Sequence, residues 1–214
     1  MDKSLSKAII FDFDGTLVDS KITIYECFQS ITTYLAPERV DYAKNILIGP
    51  PLRDTASEIL GPHNQGQLDE FIKQFIEMHD DHAIKNTQPY TGVIETLKKL
   101  RSKGISMAVA TNKRYAPTVK LINHFNWQQY FTAIECSDSQ SQIRNKDEMI
   151  QEILKKNNFN KAFFVGDTVN DGLSANLNQL PFILAQYGYG QDQDWSKVNI
   201  KKEIQNFSEI LQLI

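Results

Sequence analysis

Cysteine is scarce in this sequence. Two of the 214 residues are cysteines, Cys27 and Cys136, and they lie far apart. A disulfide framework or a cysteine-ligated metal site needs more cysteines at closer, repeated spacings, so neither is expected. We expect the two thiols to be small buried hydrophobes in a reducing compartment.

Long apolar runs and an excess of positive charge are also missing. No stretch approaches the roughly 18 apolar residues of a membrane-spanning helix, and residues 1–7 contain no apolar segment of the length that a signal peptide needs. The formal net charge of −3 gives no support to binding of nucleic acid or of an anionic membrane. The sequence therefore predicts a soluble cytoplasmic protein without nucleic-acid or membrane partners, and it leaves monomer and homodimer open.

Short apolar runs rich in Ile, Val and Phe recur along the chain. They cover residues 8–13, 105–110, 131–135, 162–165 and 182–185. Nearly continuous hydrophobicity is typical of parallel strands that are covered on both faces. Helical patterns at 93–103 and 147–156 alternate with these runs. This rhythm predicts an α/β fold with a doubly wound, Rossmann-like parallel sheet.

One long insertion interrupts the alternation. Residues 18–87 contain no convincing strand run, but they contain helical stretches at 22–35 and 68–82. An insertion of roughly 70 residues is too long for an ordinary connection. The sequence therefore predicts a small α-helical cap domain, 18–87, inserted into a core domain made of 1–17 and 88–214. One helical face of the cap is apolar, through Ile22, Tyr25, Phe28 and Ile31.

Two carboxylates stand where the first strand ends, in the run Asp12-Phe13-Asp14-Gly15-Thr16. Residues two apart on a strand project from the same face, and open α/β sheets bind ligands at the carboxyl ends of their strands. Adjacent buried carboxylates repel each other unless they share a cation, and Mg²⁺ is a cation that prefers oxygen ligands. An acidic turn that merely caps the next helix is the alternative explanation.

Polar residues stand at other strand ends as well. Thr111 and Asn112 follow the second run, and a hydroxyl with a nearby backbone N–H suits phosphate oxygens. Lys146 begins a helix, while Asp167 and Asp171 follow the fourth run. Taken singly, these are equally explained as a helix cap, a solvated lysine and an acidic loop. Together they predict one site at the carboxyl edge of the sheet.

In these segments the chain resembles the haloacid dehalogenase superfamily, and in particular its phosphoglycolate-phosphatase-like branch with a helical cap. The four family motifs are matched in order by Asp12–Thr16, by Thr111, by Lys146, and by Gly166-Asp167 with Asp171. Two positions depart from the branch. Asp147 stands where a proline is usual, and the stretch after Asp171 is not rich in alanine.

The resemblance implies an Mg²⁺-dependent phosphatase that hydrolyses a small phosphorylated metabolite. Asp12 would be the nucleophile, and Asp14 would be the general acid and base. The metal would be held by Asp12, by the backbone carbonyl of Asp14 and by Asp167, while Asp171 would support Lys146 or the metal. Lys146 would stabilise the transferring group, and the substrate would be bound by Thr16, Thr111 and Asn112.

Asp14 also bears on the type of reaction. Relatives that cleave carbon–halogen or carbon–phosphorus bonds generally lack an aspartate there, so Asp14 favours a phosphate ester or anhydride. A sugar-phosphate mutase remains an alternative, because it would use the same two carboxylates. A phosphate-binding regulatory protein without turnover is a second alternative.

The predicted cap contains one further candidate. The loop Gly49-Pro50-Pro51-Leu52-Arg53 resembles a cap loop that reaches over the active site, and Arg53 suits a substrate carboxylate or a second phosphate. A solvated arginine explains the position equally well. We expect His79 and the other histidines to be surface or helix residues. Residues 187–190 are interpreted as a mobile rim of the cleft or as a plain turn.

Overall fold

A six-stranded parallel sheet forms the centre of the computed structural model, which describes residues 7–140 and 142–214. Residues 1–6, which belong to the predicted core and to the stretch examined for a signal peptide, lie outside the described residues. Strands of the described part are β1 (Lys7–Phe11), β2 (Val18–Asp19), β3 (Gln88–Pro89), β4 (Ser106–Thr111), β5 (Ala133–Cys136), β6 (Lys161–Gly166), β7 (Phe182–Ala185) and β8 (Ile200–Ile204).

The strand order places a ligand crevice at β1. The sheet runs β5-β4-β1-β6-β7-β8, with every neighbouring pair parallel. The chain leaves β1 toward β4 and β5 on one side and returns to β6, β7 and β8 on the other. Such a reversal opens a crevice at the carboxyl ends of the flanking strands. The predicted doubly wound α/β fold is confirmed.

Both faces of the sheet are covered, and this is why the strands are almost continuously apolar. Ile9 and Phe11 belong to one hydrophobic cluster, while Ile10 between them belongs to another on the opposite face. All five predicted runs form strands: the run 182–185 coincides with β7, and the ends of the other four are shifted by one or two residues. The edge strand β8 was not predicted, because it reads Ile-Lys-Lys-Glu-Ile and its middle three residues are exposed.

Helices surround the sheet and fill the insertion. They are α1 (Lys21–Leu35), α2 (Val40–Ala43), α3 (Leu52–Leu60), α4 (Leu68–His82), α5 (Val93–Ser102), α6 (Tyr115–His124), α7 (Lys146–Asn157) and α8 (Val169–Leu177). The four predicted helical segments correspond to α1, α4, α5 and α7, and for α4 the predicted ends coincide with the observed ones. In the described part of the chain, no helix combines the length and the apolar character that crossing a membrane requires.

The insertion has a hydrophobic cluster of its own. The buried members of this cluster all fall between Ile24 and Phe75, and the rings of Phe28 in α1 and Phe75 in α4 stack with centroids 4.9 Å apart. The chain enters and leaves the insertion through the short antiparallel pair of β2 and β3, where Val18 is opposite Pro89. This neck and the separate cluster support a cap with the predicted bounds, 18–87, which stays a proposal.

Candidate active site

Asp12 and Asp14 lie in a tight turn at the carboxyl end of β1. The backbone N–H of Asp12 donates to Val165 O at 2.9 Å, which holds the first residue of the turn against β6. Gly15 has φ +84°, and a Cβ at this position would overlap the Asp167 carboxylate. Only glycine suits both the conformation and the close approach. The turn buries Asp12 and leaves the Asp14 side chain 15% exposed toward the cleft.

Lys146 connects two of the carboxylates. It is the first residue of α7, whose start is capped by Asn145 and Glu148. Its Nζ donates to Asp12 Oδ1 at 2.7 Å and also to Asp171 Oδ1. Burial alone would lower the pKa of Lys146, but the two carboxylates outweigh it and raise the pKa. Lys146 is therefore a buried ammonium paired with both aspartates.

Asp171 is held by hydrogen bonds to both of its oxygens at the start of α8. Its Oδ2 accepts from the backbone N–H of Asp167 at 3.1 Å, from the N–H of Thr168 at 2.9 Å and from Thr168 Oγ1 at 2.7 Å. Its Oδ1 accepts from Lys146. This is the capping-box arrangement of a helix N-terminus, with Thr168 as the N-cap. Asp171 thus orients Lys146 and the segment that carries Asp167.

Three buried carboxylates form an acidic cluster. One oxygen each from Asp12, Asp167 and Asp171 lies within 4.8 Å of the others. Burial raises the pKa of Asp12 to about 7, with Lys146 opposing the rise and Asp171 adding to it. Burial, followed by repulsion from Asp171 and Asp12, raises the pKa of Asp167. Carboxylates that lie together despite burial and mutual repulsion fit a divalent cation, which would stabilise their ionised forms.

The loop after β7 supports Asp167. The backbone N–H of Tyr189 donates to Asp167 Oδ2 at 2.7 Å. On the other side, Thr16 Oγ1 donates to Asp167 Oδ1 at 3.0 Å. Tyr187 reinforces this contact, because its hydroxyl donates to Thr16 O at 2.9 Å. Both oxygens of Asp167 are therefore oriented before any ligand arrives.

Asp14 points into the cleft toward a lysine. Ser20 Oγ donates to Asp14 Oδ1 at 2.6 Å, and Lys113 Nζ lies 3.1 Å from both Asp14 oxygens. On the opposite wall, His79 Nε2 of α4 lies 3.3 Å from the same Nζ. The second carboxyl group of the motif thus faces the insertion, whereas Asp12 faces the acidic cluster.

The cleft between the sheet edge and the insertion is small. Its cavity volume is about 100 Å³. Polar residues of the floor include Asp12, Asp14, Thr111 and Lys146. The roof is apolar and is formed by Ile24, Phe28, Ile48, Leu52, Phe75 and Ile76. This arrangement suits a small ligand with a polar end on the sheet side.

Comparison with known proteins agrees with this geometry. The family model described as haloacid dehalogenase-like hydrolase matches residues 9–185, which is most of the chain. The chain belongs to this family. The resemblance expected from the four strand-end segments is confirmed.

Two curated relatives of the chain are both named phosphoglycolate phosphatase. The phosphoglycolate phosphatase of Psychrobacter arcticus (strain DSM 17307) is 26% identical over 225 residues, covering 100% of this chain and 96% of the relative. The phosphoglycolate phosphatase of Rhodobacter capsulatus is 29% identical over 189 residues, covering 86% of each chain. A haloacid dehalogenase-like family hydrolase from Streptococcus pneumoniae has the same fold, with a TM-score of 0.82, 22% identity and coverage of 97% and 98%.

In the present protein, the three predicted substrate-binding residues of the core differ in what their side chains contact. Thr111 lines the cleft beside Asp12. Asn112 also lines it, but its Nδ2 donates to Gly49 O at 2.9 Å and so connects the core to the insertion. Thr16 directs its hydroxyl to Asp167. The geometry therefore brings Thr111 to the cleft, where its Oγ1 accepts from the backbone N–H of Lys113 at 3.2 Å, and it uses Asn112 and Thr16 to hold the site together.

Arg53 is not brought to the cleft. Its Nη2 lies 2.7 Å from Asp69 Oδ1, and its side chain is 62% exposed. The ion pair holds the guanidinium on the outer surface between α3 and α4. Gly49 and Leu52 of the same loop do line the cavity. The cap loop reaches the site with its backbone and apolar residues, and the predicted substrate contact of Arg53 has no support in this arrangement.

Two residues of the cleft escaped prediction for different reasons. Lys113 directly follows Thr111 and Asn112, so its position at the same strand end was a usable signal. His79 was expected to be a surface or helix residue, and it does lie in α4, but it is only 4% exposed. Its burial follows from its place on the packed face of α4, four residues after the buried Phe75, so this spacing was also a usable signal.

Proposed function

We propose that this hydrolase is an Mg²⁺-dependent phosphatase that hydrolyses a small phosphomonoester through an aspartyl-phosphate on Asp12. The observation that carries the proposal is the contrast between two neighbouring carboxyl groups. Asp12 lies beside the Lys146 ammonium and the acidic cluster, while Asp14 faces the cleft. Two carboxyl groups in different environments can divide the roles of nucleophile and proton carrier. The names of the two curated relatives support phosphatase activity.

Asp12 is suited to attack phosphorus. Lys146 occupies its Oδ1, and Oδ2 has no hydrogen-bond donor among residues 7–140 and 142–214, so Oδ2 is the attacking atom. A bond forms between Oδ2 and phosphorus while the bond from phosphorus to the leaving oxygen breaks. Thr111 at the cleft floor and the Lys146 ammonium stabilise the negative charge on the transferring group.

Asp14 moves the proton in both halves of the reaction. In the first half its carboxyl group protonates the leaving oxygen, which departs as an alcohol. In the second half its carboxylate takes a proton from the water that attacks phosphorus, and the bond from phosphorus to Asp12 breaks. Ser20 orients Asp14 for this exchange through the 2.6 Å hydrogen bond.

The acidic cluster fits Mg²⁺. The cation would be held by Asp12, by Asp167 and by the backbone carbonyl of Asp14. When bound, it would neutralise charge between the nucleophile and the phosphoryl oxygens and align them. Asp171 would act through Lys146 and through the backbone of Asp167, because its Oδ2 accepts three hydrogen bonds and its Oδ1 accepts from the Lys146 ammonium, whereas each Asp167 oxygen accepts only one.

The size of the cleft limits the substrate. A cavity of about 100 Å³ lined by both the core and the insertion suits a phosphoryl group with a short leaving group. We therefore propose that the insertion, residues 18–87, works as a cap that opens for exchange and excludes water during transfer.

Release of inorganic phosphate tests the proposal. Purified protein is given phosphoglycolate and p-nitrophenyl phosphate with Mg²⁺ or with EDTA, alongside the Asp12→Asn variant. We expect hydrolysis only with Mg²⁺, and a loss of about 10³-fold or more in the variant. Full activity in Asp12→Asn would contradict the assignment of the nucleophile. Conversion of a sugar 1-phosphate to its 6-phosphate without free phosphate would indicate a mutase instead.

A further inference from the structure

Lys113 is a buried cation with no assigned role in the proposed reaction. Its side chain is 5% exposed, and its Nζ lies 3.1 Å from both oxygens of Asp14 and 3.3 Å from His79 Nε2. An ammonium group only donates hydrogen bonds, so Nε2 of His79 must accept one. His79 is therefore neutral, with its proton on Nδ1. Burial, followed by repulsion from Lys113, lowers the pKa of His79, in agreement with this tautomer.

These partners leave Lys113 one donor for a ligand. Charge-assisted hydrogen bonds from an ammonium to a carboxylate are usually about 2.7–2.9 Å long. Two equal contacts of 3.1 Å to one carboxylate fit a single N–H shared between its oxygens. A second N–H points to His79, and the third has no partner within the described parts of the chain. Lys113 also lines the cleft.

The other cation of this wall is less available. Arg114 also lines the cleft, but its Nη1 lies 3.0 Å from Asp80 Oδ2 and its Nε lies 3.4 Å from Asp138 Oδ2. Its side chain is 31% exposed, so solvent screens the attraction between its guanidinium and a ligand anion. A ligand anion in the buried part of the cleft therefore meets Lys113 rather than Arg114.

Distances define which ligand group Lys113 can reach. In the proposed reaction the leaving oxygen lies within about 3 Å of Asp14, and Lys113 Nζ lies 3.1 Å beyond. The two are thus at most about 6 Å apart. A carboxylate bonded to the carbon that carries the leaving oxygen extends about 3 Å from that oxygen. It then comes within hydrogen-bond distance of Nζ.

We propose that Lys113 determines specificity by binding an anionic group carried on the leaving alcohol, next to the carbon of the ester bond. His79 is a positioning residue, because it holds the ammonium over Asp14. The favoured substrates are phosphate esters of small 2-hydroxy acids, and neutral esters of equal size are disfavoured. This inference rests on the proposed phosphatase function.

A matched pair of esters separates binding of the anion from proton transfer. Phosphoglycolate and ethyl phosphate have similarly poor leaving groups, and they differ in the carboxylate. We expect the wild type to prefer phosphoglycolate in kcat/KM by about 10- to 100-fold, the value of a hydrogen bond to a charged group. Lys113→Met should remove most of this preference, chiefly through a higher KM for phosphoglycolate.

Control variants identify the role of each residue. Lys120→Met removes a positive charge that does not line the cleft and whose Nζ donates to the backbone oxygen of Asp80, and it should leave the preference unchanged. His79→Leu should raise the KM for phosphoglycolate. In His79→Gln the amide oxygen can accept from Lys113, so the KM for phosphoglycolate should return toward the wild-type value.

The possible failures are distinguishable. If the wild type hydrolyses neither ester, the proposed function is wrong, and the inference fails with it. If the wild type hydrolyses both esters equally well, the specificity role is overturned even where Lys113→Met does not fold. An equal loss of kcat/KM for both esters in Lys113→Met would also overturn the specificity role, because that result is expected if Lys113 only orients Asp14.

Discussion

Asp12 and Asp14 are two residues apart, yet their side chains meet different partners. Asp12 is buried beside Lys146 and the acidic cluster, and its pKa is raised to about 7. Asp14 accepts hydrogen bonds from Ser20 and Lys113 in the cleft. Gly15 makes the separation possible, because its positive φ lets the chain turn sharply beside Asp167. Local backbone geometry thus gives the two carboxyl groups different surroundings, which the proposed division of roles requires.

The raised pKa of Asp12 predicts how stability depends on pH in the absence of metal. The value of about 7 in the folded protein exceeds the ordinary 3.8, so the folded state binds this proton more tightly. The stabilisation is fully present below about pH 4 and is lost as the pH rises through about 7. Relative to Asp12→Asn, the wild-type free energy of unfolding should therefore fall between these pH values.

Urea unfolding of both proteins in EDTA measures this difference. Mg²⁺ should raise the stability of the wild type more at pH 8 than at pH 5, because protonated carboxyl groups bind it poorly. Curves that stay parallel for wild type and variant from pH 4 to pH 7 would contradict the electrostatic description of Asp12.

At the scale of elements, the site residues that could be predicted from the sequence are mainly those at strand ends. Asp12, Thr111 and Asp167 were predictable, because each follows an apolar run and parallel strands bring their carboxyl ends to one edge. Lys146 was found through its place at a helix start. The contact between Lys113 and His79 was not predictable, since it depends on how α4 packs across the cleft. Edge strand β8 was missed because solvent exposure had removed its apolar pattern.

The loop after β7 resembles a plain turn in the sequence, but it contacts the Asp167 carboxylate. A Cβ at Gly188 would overlap the side chain of Asp167, so Gly188→Ala should displace Asp167 or the loop. We expect the affinity for Mg²⁺ to fall by about 10-fold or more, as for other changes to groups that orient metal ligands. Titration of activity against Mg²⁺ concentration measures the effect.

Gly66→Ala is the matched control for this substitution. Gly66 has no heavy atom within 4 Å of an added Cβ, so its Mg²⁺ dependence should equal that of the wild type. Equal Mg²⁺ dependence in Gly188→Ala as well would show that the loop does not position Asp167.

At the scale of the whole molecule, the site lies between two separately packed parts. The sheet edge supplies the charged residues and the proposed nucleophile, and the insertion supplies an apolar roof with its own cluster between Ile24 and Phe75. The length and helical periodicity of the insertion were readable from the sequence. The identity of the residues that it presents to the core was not, because the spacing places Phe75 and His79 on the buried face of α4 without showing that this face borders the cleft.

The central claim is the covalent intermediate on Asp12, and trapping it is the most direct test. In Asp14→Asn, p-nitrophenyl phosphate can still phosphorylate Asp12, because nitrophenolate leaves without a proton. Hydrolysis of the intermediate then slows, since the group that takes a proton from water is missing. Rapid mixing should show a stoichiometric burst of nitrophenolate, and mass spectrometry after acid quench should find one phosphoryl group on Asp12. A linear time course without a burst, or a phosphoryl group on another residue, would contradict the mechanism.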